Sequence, residues 1–201
     1  MILITYLIPL ILFVGFGFLH SYTAKTSVKN SFRKRFPLFF SYYRIIYNIG
    51  SLFYFLLFGW SLPGKDIDIY IIPFPWILLF TFFMMWGFWI AWRSFRHFDT
   101  LAFLGIRQLS ESADVNKYAE YNVKLSISGW YNYVRHPLYF GCLLGIWFWP
   151  FMTVAWFQMA LYVTLYFIIG SKHEEKLLLE RFGESYRNYQ KQTKRLIPFI
   201  Y

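Results

Sequence analysis

Residues 135–170 read RHPLYFGCLLGIWFWPFMTVAWFQMALYVTLYFIIG. A bilayer core takes about 20 mostly apolar helical residues, so the run from Pro137 to Gly170 is too long for one crossing and short for two. Pro150 sits near its middle and cannot continue a helix. The stretch is therefore expected to form a tight helical hairpin that crosses and returns, with both ends on one side. Working outward, residues 1–20, 42–62 and 74–95 each supply one more apolar span. The expected fold is all-α: an integral membrane protein with five transmembrane helices, the last two paired as the hairpin.

Composition agrees. Of 201 residues, 58% are hydrophobic and 25% aromatic, far from the soluble average. The net charge of +10 does not point to nucleic acid, because the basic residues lie between apolar runs rather than on one soluble face. The single cysteine, Cys142, excludes a disulfide framework and a cysteine metal cluster, and no metal site is expected. The first segment lacks the basic start and small-residue cleavage site of a secretory signal, so it reads as a retained helix. Tryptophans 86, 89, 92, 147 and 149 are assigned to lipid-facing or interfacial packing.

Basic loop residues set the expected orientation. Lys25, Lys29, Arg33, Lys34 and Arg35 form one cluster, Arg93, Arg96, Arg107, Lys117, Lys124 and Arg135 another, and the tail from Lys172 to Arg195 a third. These face the cytoplasm, with the N-terminus outside and the C-terminus inside. The chain is read as one domain over 1–201, with three spans in 1–95, a cytoplasmic connection at 96–136, and the hairpin and tail at 137–201. After Gly170, Glu175, Leu178, Phe182, Tyr186 and Tyr189 recur at helical spacing, which predicts an amphipathic C-terminal helix.

Arg135 and His136 precede Pro137, a residue suited to the first turn of a helix. A basic pair there makes an anion pocket, since helix N-termini attract negative charge, although a positive-inside anchor has the same sequence. Glu174 and Glu175 follow the last span closely, where charge is expensive. A hairpin brings them back toward Arg135 and His136. Opposite charges then converge from distant sequence, as a functional pocket or a structural ion pair.

The motif GWYNYVRHPLYFG, followed by a hairpin and HEEKLLLERFGESYRNYQKQTKRLIP, resembles the integral-membrane methyltransferases that include isoprenylcysteine carboxyl methyltransferase and phospholipid methyltransferases. The segments FGFLHSYTAK, WRSFRHFDTLAFLGIRQL and FWPFMTVAW are similar to the methanethiol S-methyltransferase branch, related to NnrU-like membrane proteins, with Arg96 where that branch commonly has Asn. The resemblance implies an S-adenosylmethionine pocket between hairpin and tail, lined by Arg135, His136, Pro137 and Tyr139, with Glu174 and Glu175 opposite and Arg195 closing it. It also implies a small thiol acceptor, with a lipid or prenylcysteine carboxyl group as the alternative and a non-catalytic membrane scaffold as a further one. A thiol must lose its proton before it attacks, and His97 with Asp99 are the expected base and orienting residue. His20 and Gln108 match the branch as substrate-site candidates. The chain has no Gly-x-Gly-x-x-Gly fingerprint, which argues against the soluble, parallel-sheet type of methyltransferase.

Overall fold

The computed structural model describes residues 2–96, 99–110, 125 and 127–201. Among these residues nine α-helices follow in chain order: α1 Ile2–Ala24, α2 Thr26–Arg35, α3 Tyr43–Ser61, α4 Trp76–Phe95, α5 Thr100–Leu104, α6 Arg107–Ser110, α7 Pro137–Trp147, α8 Val154–Phe182 and α9 Glu184–Gln192. Two short 3-10 turns, Pro37–Tyr42 and Gly129–Asn132, and two short strands, β1 Asp68–Ile71 and β2 Phe151–Thr153, complete the described elements. Among the described residues, Ile4–Ala24, α4 and α8 are long and apolar enough to cross a membrane. Ile4, Val14 and Phe18 on α1, and Phe82 and Trp92 on α4, are all exposed. In water that pattern would aggregate; in lipid it is the expected outer surface. The protein is an all-α integral membrane protein.

The chain forms two compact units, one from Met1–Pro63 with Asp99–Asn122 and the other from Gly64–Phe98 with Val123–Tyr201. In the first unit α1 and α3 meet through aromatic rings, with Phe13–Phe58 centroids 5.9 Å apart and Phe16–Tyr54 6.0 Å apart. The short α5 leaves its last carbonyls to be satisfied from α3. Arg44 Nε donates to Phe103 O at 3.0 Å, and Asn48 Nδ2 to Phe103 O and Leu104 O at 2.9 and 3.0 Å. Side-chain donors thereby supply what a helix end lacks.

In the second unit α4 and α7 approach backbone to backbone. A Cβ on Gly141 would stand 2.5 Å from Gly87 O and 2.6 Å from Ala91 N, and one on Gly145 would strike the Phe88 ring at 2.8 Å. The Gly141-x-x-x-Gly145 spacing is what close helix packing in a membrane uses. β1 and β2 pair antiparallel, with Tyr70 opposite Met152 and Ile71 opposite Phe151. Thr153 then caps α8, its Oγ1 accepting from Trp156 N at 3.1 Å.

Two features depart from the expected outline. The first arm of the hairpin is helical for only 11 residues, about 16 Å at helical rise, because the chain leaves the helix at Phe148 and enters β2. The tail helix does not begin after Gly170 either. Instead α8 runs straight through that glycine to Phe182 over 29 residues, and the break falls at Gly183, whose φ of 54° suits a residue without a side chain. The amphipathic helix after it is α9, which buries Tyr186 and Tyr189.

Candidate functional site

The second unit gathers the charged residues. Val134 pairs with Lys194 in an isolated parallel bridge, Arg135 N donates to Lys194 O at 2.8 Å and His136 N to Arg195 O at 3.1 Å. Two chain segments sixty residues apart thus lie side by side and present Arg135, His136 and Arg195 together. Pro137 is buried at the first position of α7, with His136 before it as the cap residue. Glu174 and Glu175 come from α8, which packs against α7.

Glu175 is the hub. Arg135 Nε donates to its Oε1 at 2.7 Å, while Gln190 Nε2 and Arg195 Nη2 donate to Oε2 at 3.1 and 3.0 Å. Arg135 Nη1 donates to Gln190 O at 3.1 Å and to Thr193 O. Arg135 therefore bonds α8 to the end of the tail. Side chains of Arg135 and Glu175 are 8% and 4% exposed, so each charge needs the other.

Glu174 lives differently. Its side chain is 48% exposed and approaches His136 Nδ1 at 3.3 Å, and Tyr139 Oη donates to its Oε1 at 2.5 Å. The His136 ring stacks on Tyr139 with centroids 5.3 Å apart and planes 7° apart, and Tyr139 stacks in turn on Phe167 at 4.3 Å and 4°. Burial disfavours the charged imidazole, yet the Glu174 and Glu175 carboxylates beside the ring outweigh it and raise the His136 pKa above its ordinary value.

Three polar atoms here are buried without a hydrogen-bond partner: His136 Nε2, Tyr186 Oη and Arg195 Nε. His136 Nε2 lies 3.3 Å from Glu175 Oε1, within ion-pair reach but without hydrogen-bond geometry. Such atoms are rare in native proteins and call for an explanation. Together with the half-exposed Glu174 carboxylate and the three-ring stack, they form a donor set suited to a small ligand carrying a carboxylate, an ammonium, hydroxyls and a flat ring.

The expected site residues fall into two groups. Arg135, His136, Pro137, Tyr139, Glu174, Glu175 and Arg195 are brought together in the second unit. Tyr186, expected only on the stripe of the tail helix, joins them, and so does Gln190, which the sequence reading does not name; Gln190 stands at helical spacing from Tyr186, and that position was the available signal. His20, Asp99 and Gln108 lie in the first unit, and His97 lies outside the described residues. Asp99 caps α5 by accepting from Ala102 N at 3.0 Å and pairs with Arg107 at 3.1 Å. Gln108 Nε2 donates to Ala102 O at 2.9 Å while its Oε1 is buried without a partner. His20 contacts Ser51 Oγ through Nδ1 at 3.0 Å and Tyr47 Oη through Nε2 at 2.7 Å, beside a mostly apolar cavity of about 330 Å³ between α1, α2 and α3.

No protein-family model matches the chain, and no solved structure does. Curated relatives do. A methanethiol S-methyltransferase of Pseudomonas deceptionensis is 30% identical over 198 residues, covering 96% of this chain and 73% of that protein. Methanethiol S-methyltransferase 2 of Bradyrhizobium diazoefficiens is 28% identical over 204 residues, covering 97% of this chain and 74% of that one. The methanethiol S-methyltransferase of Crocosphaera subtropica is 40% identical over 104 residues, which span 52% of this chain and 39% of the relative. Near end-to-end similarity at this level, on an all-helical membrane scaffold, means that the chain belongs to the methanethiol S-methyltransferase family.

Proposed function

We propose that this protein methylates methanethiol with S-adenosylmethionine as donor, releasing dimethyl sulfide. The observation that carries the reading is the cluster around Glu175, with its unpartnered buried polar atoms and the half-exposed Glu174 beside a stack of three rings. The donor set fits S-adenosylmethionine. Arg195 and His136 suit its carboxylate, Glu174 its ammonium or ribose hydroxyls, and the aromatic faces its cationic sulfonium. When bound, that group supplies an electrophilic methyl carbon. Arg135 and Glu175 hold the frame on which the other residues are positioned, and Pro137 and Tyr139 complete the lining.

A donor held by Arg195, His136 and Glu174 would supply its methyl carbon to the thiolate sulfur by displacement, the carbon–sulfonium bond breaking as the new bond forms. The thioether and the demethylated donor are the products. Positioning and exclusion of water provide most of the acceleration in such a step. His97 is the proposed base that takes the thiol proton, and Asp99, with its carboxylate held against Arg107, the residue that orients it. His20 and Gln108 are proposed on the acceptor's side. The basic residues of the loops support a reaction on the cytoplasmic face, with the N-terminus outside and the C-terminus inside.

The test is headspace detection of dimethyl sulfide from purified protein given S-adenosylmethionine and methanethiol. The expected result is product from the natural sequence and none from His97→Ala, with His136→Ala weakening donor binding by about tenfold or more. Retained donor binding without dimethyl sulfide would reject methanethiol and favour a lipid or prenylcysteine acceptor. Loss of neither binding nor turnover in His136→Ala would remove the site from this cluster.

A further inference from the structure

A pocket of about 560 Å³ lies in the second unit, lined by Trp89, Arg93, Arg96, Gly129, Trp130, Asn132 and Tyr133. Two of these are arginines at the end of α4, Arg93 in its last turn and Arg96 as its cap residue. Among the described residues, every other arginine engages a carboxylate, a carbonyl or an aromatic ring: Arg33, Arg35, Arg44, Arg107, Arg135, Arg181, Arg187 and Arg195. Arg93 and Arg96 engage none and are exposed. Aromatic rings shape the rest of the pocket: Trp130 meets Trp89 edge-on at 5.9 Å, Trp86 at 6.2 Å and Tyr133 at 5.8 Å.

A membrane helix ending in arginine is ordinary, and either arginine alone would be an interfacial anchor. Their convergence on a walled concavity is different. Two guanidiniums offer fork-shaped donors matched to phosphate oxygens. Trp89 and Trp92, 49% and 72% exposed at the same end of α4, mark the level at which headgroups and hydrocarbon meet. The aromatic wall suits the glycerol and upper acyl region below a phosphate, and Asn132 adds a neutral hydrogen-bonding group at the rim. The volume falls in the range of ordinary small-molecule sites.

We infer that this pocket binds the phosphate headgroup of an anionic membrane phospholipid, at a site separate from the Glu175 cluster. The shared chemistry, a phosphate with net negative charge, could also come from free phosphate in solution; the position beside the interfacial tryptophans selects the lipid. The inference does not depend on the proposed methyl transfer.

Native mass spectrometry of the full-length protein in detergent tests it, titrating dioleoylphosphatidylglycerol against dioleoylphosphatidylcholine. Two arginines near a headgroup correspond to a preference of roughly thirtyfold for the anionic lipid. The double variant Arg93→Gln with Arg96→Gln is expected to bring that preference close to one while leaving the affinity for S-adenosylmethionine unchanged. Both side chains are exposed, so the fold tolerates the change, and gel filtration checks this. The control Lys34→Gln with Arg35→Gln on α2 is expected to keep the preference. Four results would overturn the inference: an undiminished preference in the double variant, its loss in the α2 control, weakened donor binding with lipid preference intact, or millimolar inorganic phosphate displacing the lipid completely.

Discussion

The Arg135–Glu175 pair of the second unit and the Arg107–Asp99 pair of the first differ in almost everything but their chemistry. Arg135 and Glu175 are 8% and 4% exposed, and the carboxylate takes donors from three side chains. Arg107 and Asp99 are 32% and 27% exposed, and among the described residues the carboxylate is shared with a helix-cap amide. Away from water a charge without its partner is penalised heavily, whereas a half-solvated one falls back on water. The first pair pins the tail to α8; the second trims the end of a five-residue helix.

That contrast sets an order of effects. Glu175→Ala leaves the Arg135 guanidinium buried and uncompensated, and is expected to cost about 3–5 kcal/mol, seen as a large fall in melting temperature in detergent and early proteolysis of the tail. A melt within a degree of the natural protein would dissolve the distinction between the two pairs. Gly141→Leu drives a side chain into the α4 backbone and is expected to cost about 1–3 kcal/mol by overpacking, read in the same assay. Asp99→Ala loses a cap and a half-exposed ion pair, about 1 kcal/mol. Should it match Glu175→Ala, burial would not be what separates them.

Adjacent residues sharpen the same lesson. Glu174→Gln keeps shape and hydrogen bonding at a half-exposed position, so stability should move by no more than about 0.5 kcal/mol, while donor affinity measured by calorimetry falls about tenfold. The smallest effect is a pH dependence. The His136 pKa is raised in the folded protein, so its contribution is fully present below the ordinary imidazole value of about 6.5 and is lost as pH rises through the folded value. Melting temperature should therefore decline across that window, and Glu174→Gln should flatten the decline. An unchanged profile in the variant would show that Glu174 is not what holds the proton there.

The long spans were legible because twenty apolar residues in a row have few alternatives, and the meeting of Arg135 and His136 with Glu174 and Glu175 followed from one turn at Pro150. The early end of α7 was not legible. Trp147, Phe148 and Trp149 are as apolar as the helix before them, and hydropathy does not distinguish a helix from a turn. The alternation in Asp66-Ile67-Asp68-Ile69-Tyr70 did carry a period of two, which the β1 pairing makes plain in retrospect. Gly170 reads as a break, although a glycine in a helix costs only about 1 kcal/mol; the break falls at Gly183, where φ is positive. Arg93 and Arg96 are legible as interfacial charge, but no sequence pattern announces that Trp130 lines an open pocket with them.

α8 has a further implication as a measuring rod. Glu174 stands twenty residues after Val154 on one unbroken helix, about 30 Å along its axis, which is also the thickness of a typical hydrocarbon core. The carboxylates are thus carried at a fixed distance from the opposite boundary of the membrane. A thicker bilayer can be met by straightening the rod, a thinner one by leaning it, and each adjustment carries Glu174 and Glu175 with it. The level at which these two carboxylates stand is in this way tied to the thickness of the membrane that α8 crosses.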